Sequence, residues 1–261
     1  MAVNKLSYTF DDYISNPSGK GSAINTMPVD RQQYEKELMS LESRNSKTTY
    51  TVYHTKGRGN KNIYYIHFLI PSSTKGFFND VVVEFTENGE DSSSIRTIKH
   101  YTVKFFSNDM NFVYTYAYTF RTHGVLITEL EKDLPFRSVV QKPSMRNPDN
   151  AMGYNKSLYF AYLVMIRDGL FEKDTLSRQA KTGNITSIAA KIPNFDKKQQ
   201  ERKSIENESK DKGDKPTIGN KIIKSKNLLG DPLDLKPKVT KVVNAVKSVA
   251  SAKTTRKVKR K

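Results

Sequence analysis

Tyrosine and phenylalanine stop at Phe195. The chain has 261 residues with 14 Tyr, 13 Phe and no Trp, so every aromatic side chain able to seed a core lies upstream of that point. Charge is distributed the other way. Residues 182–261 hold 21 Lys and Arg against 8 Asp and Glu, which is most of the +17 carried by the whole chain. A polar segment of that kind buries too little apolar surface to offset the entropy of ordering it. The pattern predicts one folded region followed by a solvated basic arm, with the change falling between residues 172 and 195.

Within the aromatic part, four stretches follow from spacing and composition. Residues 1–47 form an N-terminal arm and helix. The arm includes the turn-rich Asn16-Pro17-Ser18-Gly19, and the helix is carried by Tyr34, Leu38 and Leu41 after an N-cap at Asp30. Residues 48–171 form the core domain, 172–235 a weakly structured linker and 236–261 a basic tail. From Thr48 to Leu130 the apolar period is two, and six strands are predicted at 48–54, 62–70, 80–86, 95–107, 112–121 and 125–130. Their separators are turn-like: Lys56-Gly57-Arg58-Gly59-Asn60, Pro71 to Gly76, Glu87 to Ser94, Ser107-Asn108-Asp109 and His123-Gly124. Short connections between successive strands imply an antiparallel sheet, either a sandwich or a partly closed barrel.

Residues 131–155, with Pro135, Pro143 and Pro148, read as a long loop. A helix is predicted from Asn155 to Asp168, apolar over most of its circumference and ended by Gly169 at its C-cap. The fold class is therefore α+β: an antiparallel sheet of about six strands packed by one or two helices, with a largely disordered basic C-terminal arm. Lys197 to Lys215 reads as disorder or a solvated helix, and the small apolar group from Ile222 to Leu235 as a docking peptide.

The residues offer little for catalysis. Cysteine is absent, which excludes disulfides and thiolate metal sites. His54, His67, His100 and His123 are each isolated, so no zinc spacing exists and no cofactor is expected. Ser18-Gly19-Lys20-Gly21-Ser22 lacks the upstream glycine of a P-loop. Asp80, Glu84 and Lys104 on neighbouring strands are the residue types of a metal-dependent nuclease but lack its tight acidic-x-Lys element. The glycine-flanked Arg58 is a hairpin turn or an approach to phosphate. The start of the chain shows no apolar core of signal-peptide length, and no stretch reaches the ~18 apolar residues of a membrane span.

Binding is better represented. From Lys236 onward the chain has ten cations and no acid. Lys238, Lys241, Lys247, Lys253, Arg256, Lys257, Lys259, Arg260 and Lys261 are the candidate nucleic-acid-binding residues, with lysine favouring charge neutralisation over base reading. An acidic protein surface or membrane and a purely solubilising tail are the alternatives, and AT-rich coding explains part of the lysine excess. Val239, Val242, Val243 and Val246 fall on one helical face, so the tail is expected to gain order on binding. In the predicted fifth strand, Tyr114, Tyr116 and Tyr118 share one face and are candidates for base stacking or a subunit contact.

Three stretches carry a resemblance: Lys104-Phe105-Phe106-Ser107-Asn108-Asp109, Phe112 to Tyr118, and Arg146-Asn147-Pro148 followed by Tyr154 to Phe160. Over residues 48–171 the chain resembles small virion structural proteins of tailed bacteriophages. The resemblance implies no catalytic residues and no enzyme activity. It implies assembly with other virion proteins as a homo- or hetero-oligomer, with the basic arm on DNA or an acidic virion component. Location in the virion is the corresponding expectation. The alternative is a non-specific nucleic-acid-binding protein of the cytoplasm or nucleoid.

Overall fold

The structure, a computed structural model, describes residues 9–10, 31–88, 96–144, 147, 150 and 155–211. The chain divides into two units, residues 1–215 and 216–261, and the second lies outside the described residues. The Asp30 cap, the docking peptide and the whole basic tail also lie outside them.

Helix α1 (Arg31–Arg44) buries Leu38 and Leu41. Tyr34 sets its ring edge on Tyr159 and Phe160, with centroids 5.3 and 6.2 Å away. The sheet follows as β1 (Thr49–Lys56), β2 (Asn62–Pro71), β3 (Phe78–Thr86) and β4 (Thr102–Ser107), all antiparallel. A short β5 (Lys181–Thr182) adds to β1 in parallel, giving the order β4-β3-β2-β1-β5. The α+β class is thus present as one five-stranded mixed sheet. The Gly57–Lys61 segment is a hairpin turn in which Gly59 and Asn60 both have positive φ, 74° and 60°.

Two of the six expected strands are not strands. Phe112–Tyr116 is one π-helical stretch that runs into α2 (Ala117–Thr122). Its buried apolar residues are Phe112, Val113, Tyr116, Ala117 and Phe120, which is helical spacing. Asp109 starts it, because Asp109 Oδ1 accepts the N–H of Asn111 at 2.8 Å and that of Phe112 at 3.4 Å. Gly124, at φ 71°, ends it, with Val125 N–H donating to Phe120 O. The expected sixth strand, 125–130, pairs only around Phe105, through an isolated bridge to Leu126. A second bridge joins Thr9 to Thr102. The fourth strand is also shorter than expected, beginning at Thr102.

Register decides what each face carries. Val52, Ile66, Val83 and Phe105 form one cross-strand row. On this apolar face Phe10 packs against Phe85 and Phe105, at 5.7 and 5.6 Å. Tyr162 and Phe171 close over the same ring. Tyr162 belongs to α4 (Lys156–Arg167), the expected buried helix. Asn155 caps α4 by accepting the Leu158 N–H, and Gly169, at φ 65°, follows its last turn. Salt bridges Glu37–Lys156 and Glu42–Arg167 fasten α1 to α4.

The neighbouring row reads Tyr53, Tyr65, Glu84, Lys104 and faces the other way. It is met by the later part of the segment beyond Phe171, which is more ordered than a linker. That segment forms α5 (Lys173–Gln179), whose Ser177 hydrogen-bonds Tyr64 on the apolar face, and then α6 (Ile185–Ala189) and α7 (Phe195–Asp211), with Lys191 and Lys198 reaching Tyr53 and Asp80 on this one. Leu176, Ile188, Ile192 and Phe195 from it are buried, so the folded unit runs well past residue 171. A further short helix, α3 (Phe136–Val140), sits within the stretch expected to be a long loop. No helix among the described residues is long and apolar enough to cross a membrane.

Candidate interaction surface

The three tyrosines do not share a face. With a helical rather than a period-two backbone, Tyr116 points inward and is 2 % exposed, Tyr118 is half-buried, and Tyr114 stands 47 % exposed. Burial, with a smaller contribution from Tyr34, pushes the Tyr116 hydroxyl up to about 12. Only Tyr114 of the three is a surface ring. Its edge rests on Phe195, centroid to centroid 5.8 Å at 82°.

Tyr114 forms one wall of a cleft of about 660 Å³. The other wall comes from α3 and the residues on either side of it: Pro135, Phe136, Arg137, Ser138, Gln141, Lys142, Pro143 and Ser144. Val139, buried, anchors α3, and Ser138 Oγ donates to Pro135 O at 2.7 Å. That anchoring leaves Phe136 pointing outward at 76 % exposure. Arg137 and Lys142 are exposed, and neither has an ion-pair partner among the described residues. Among the described residues the cleft lining contains two cations and no acid.

The ionisable residues on the second sheet face are arranged differently. Asp80 Oδ1 shares a 2.8 Å hydrogen bond with His67 Nε2. Asn108 Nδ2 donates to Asp80 Oδ2 at 2.7 Å, and Lys198 Nζ from α7 lies 3.6 Å from the same oxygen. Lys198 also sits over the Phe77 ring, 5.1 Å from its centroid. Glu84 pairs with Lys104 across the strands at 3.4 Å. Burial raises the Glu84 carboxyl above its ordinary range, with Lys104 opposing and Glu129 reinforcing the shift. Burial likewise raises the Tyr65 hydroxyl, helped by Glu84 and Glu129. Asp80, Glu84 and Lys104 are therefore brought to one sheet face, but Asp80 and Glu84 are buried, Asp80 bound to His67 and Lys198 and Glu84 to the half-buried Lys104. Among the described residues no group of three or more His, Asp and Glu could hold a metal ion.

Lys238, Lys241, Lys247, Lys253, Arg256, Lys257, Lys259, Arg260 and Lys261 all lie outside the described residues. Phe136, Arg137 and Lys142 were not singled out by sequence. Their signal is a lone aromatic beside cations between Pro135 and Pro143, in a stretch whose polar, proline-bounded character reads as connection. Comparison with protein-family models, with curated proteins and with solved structures gives no match.

Proposed function

We propose that the chain is a non-enzymatic structural or assembly protein of a tailed-phage virion, whose basic C-terminal arm engages DNA or an acidic virion partner. The observation that carries this reading is where the side chains are spent. Asp80, Glu84, His67 and Lys198 are consumed in buried pairs, while the folded unit offers solvent the aromatic surface of Tyr114 and Phe136. Exposed rings of that size favour contact with a partner. The ten-cation tail adds attraction to a polyanion without specifying its sequence.

The test is mass spectrometry of intact particles together with the sedimentation state of the purified protein. Presence in particles and self- or hetero-association support the reading. A monomer that is absent from particles overturns it.

A second reading draws on the tail alone: a non-specific nucleic-acid-binding protein acting outside any particle. Counterion release makes its prediction quantitative, at a log–log salt slope of about −0.9 per phosphate contacted on duplex DNA. Ending the chain after Asp234 removes all ten tail cations and is expected to flatten that slope. An unchanged slope excludes the tail as the binding element.

A further inference from the structure

We infer that the cleft between Tyr114 and Phe136 is a binding subsite for single-stranded nucleic acid on the folded unit, separate from any binding by the C-terminal arm. Two features of the cleft require a partner with two chemistries at once. The first is aromatic. Phe136 projects into solvent at 76 % exposure, and Tyr114 faces the same recess with its ring propped on Phe195. A side chain held upright by a buried neighbour loses little freedom when something stacks on it. Rings so placed suit flat, apolar faces, and every base presents one.

The second feature is charge. Arg137 and Lys142 line the same cleft, exposed and without an acidic partner among the described residues. Phosphates spaced along a strand between stacked bases meet both requirements together. An acidic peptide satisfies the two cations but leaves the rings without flat partners. A duplex keeps its bases stacked on one another, so it meets the cations and not the rings. Removing both cations is expected to lower the single-strand salt slope by about 1.4, at roughly 0.7 per phosphate. The stacking itself carries no sequence preference, so the subsite would hold a strand without reading it.

The chain contains no tryptophan, which supplies a clean reporter. In the full-length protein, Phe136→Trp places a single indole at the cleft mouth, where the exposed position tolerates it. Titration with a ten-nucleotide oligothymidylate is expected to quench that emission to a saturating plateau. The same variant carrying Arg137→Ala and Lys142→Ala is expected to need about tenfold more oligonucleotide and to show the reduced salt slope. Anisotropy of a labelled oligonucleotide, followed in parallel, reports total binding including that of the arm. Binding by anisotropy with unaltered indole emission overturns the cleft and leaves the arm reading intact. Equal quenching by the matching duplex, or by oligoglutamate at the same ionic strength, also overturns it, the latter in favour of an acidic protein partner.

Discussion

Asp80 is 2 % exposed and is shared between His67, Asn108 and Lys198. Removing the carboxylate leaves the buried Lys198 ammonium over Phe77 with only the exposed Glu201, 3.8 Å away, as an acid. Loss of one partner from a buried pair costs on the order of 3 kcal/mol. Asp80→Ala is therefore expected to lower stability to urea by about that amount. A variant with wild-type stability would mean that Glu201 and water suffice for Lys198. Glu84 makes a different demand. Its carboxyl titrates above its ordinary value of 4.5, so the native state holds the proton more tightly than the unfolded chain. Stability from that group is present below the ordinary value and is lost as pH rises through the raised one. Glu84→Gln fixes the neutral form. Its melting temperature relative to the unmutated protein is expected to climb as pH rises from 4.5 towards neutrality. A gap that stays flat or narrows would show the Lys104 ion pair outweighing burial.

At the scale of elements, the informative one is the helix that alternation conceals. Phe112 to Phe120 reads aromatic at every second residue from Phe112 to Tyr118, and β-branched and aromatic types suit strands. Both parities are buried, however, and a single sheet face cannot take both. The end signals were legible: Asp109 before the stretch and Gly124 after it are a helix start and stop. They were outweighed by the period, which is the stronger local cue except where tertiary packing overrides it. Asp109 joins three elements, because it also accepts from Ser157 at 2.6 Å in α4 and from Asn79 at 3.2 Å in β3. Asp109→Ala is expected to cost about 2 kcal/mol, from the lost start of the helix and two unpaired partners. Chemical denaturation measures it, and a loss confined to a few tenths would show that packing alone holds the turn. In α4 the local and global signals agree. Asn155, an apolar body and Gly169 all point to the helix that forms, so its position could be read from sequence.

For the whole molecule, hydropathy located the first four strands and the buried helix, since each buries enough apolar surface to leave a period. It placed the end of the fold too early. Helices α5 and α6 are short, and α7 is polar along most of its length. They hold on through a few anchors, Leu176, Ile188, Ile192 and Phe195, spaced too widely to show as a pattern. The cleft was hidden for a related reason: its residues are distant in sequence, and only the fold brings Tyr114 to Phe136. A chain ending at Phe171 uncovers the Tyr53–Lys104 row and is expected to lose cooperative thermal unfolding. One ending at Lys215 is expected to melt as the full chain does. A sharp transition in the shorter chain would show that the terminal helices are accessory.

The two bridges along the outside of β4 have a bearing on how copies of this protein can meet. Thr9 bridges it at Thr102, Val125 O and Ile127 N–H take up the N–H and C=O of Phe105, and at the opposite margin β5 is only two residues long. Among the described residues the β4 border is therefore interrupted, and it offers no long run of free amides on which another chain could template a strand. Continuous β-sheet across subunits, with its risk of unlimited fibrous growth, is thereby discouraged. Copies meeting along β4 would do so through side chains, a contact that can close and count its members.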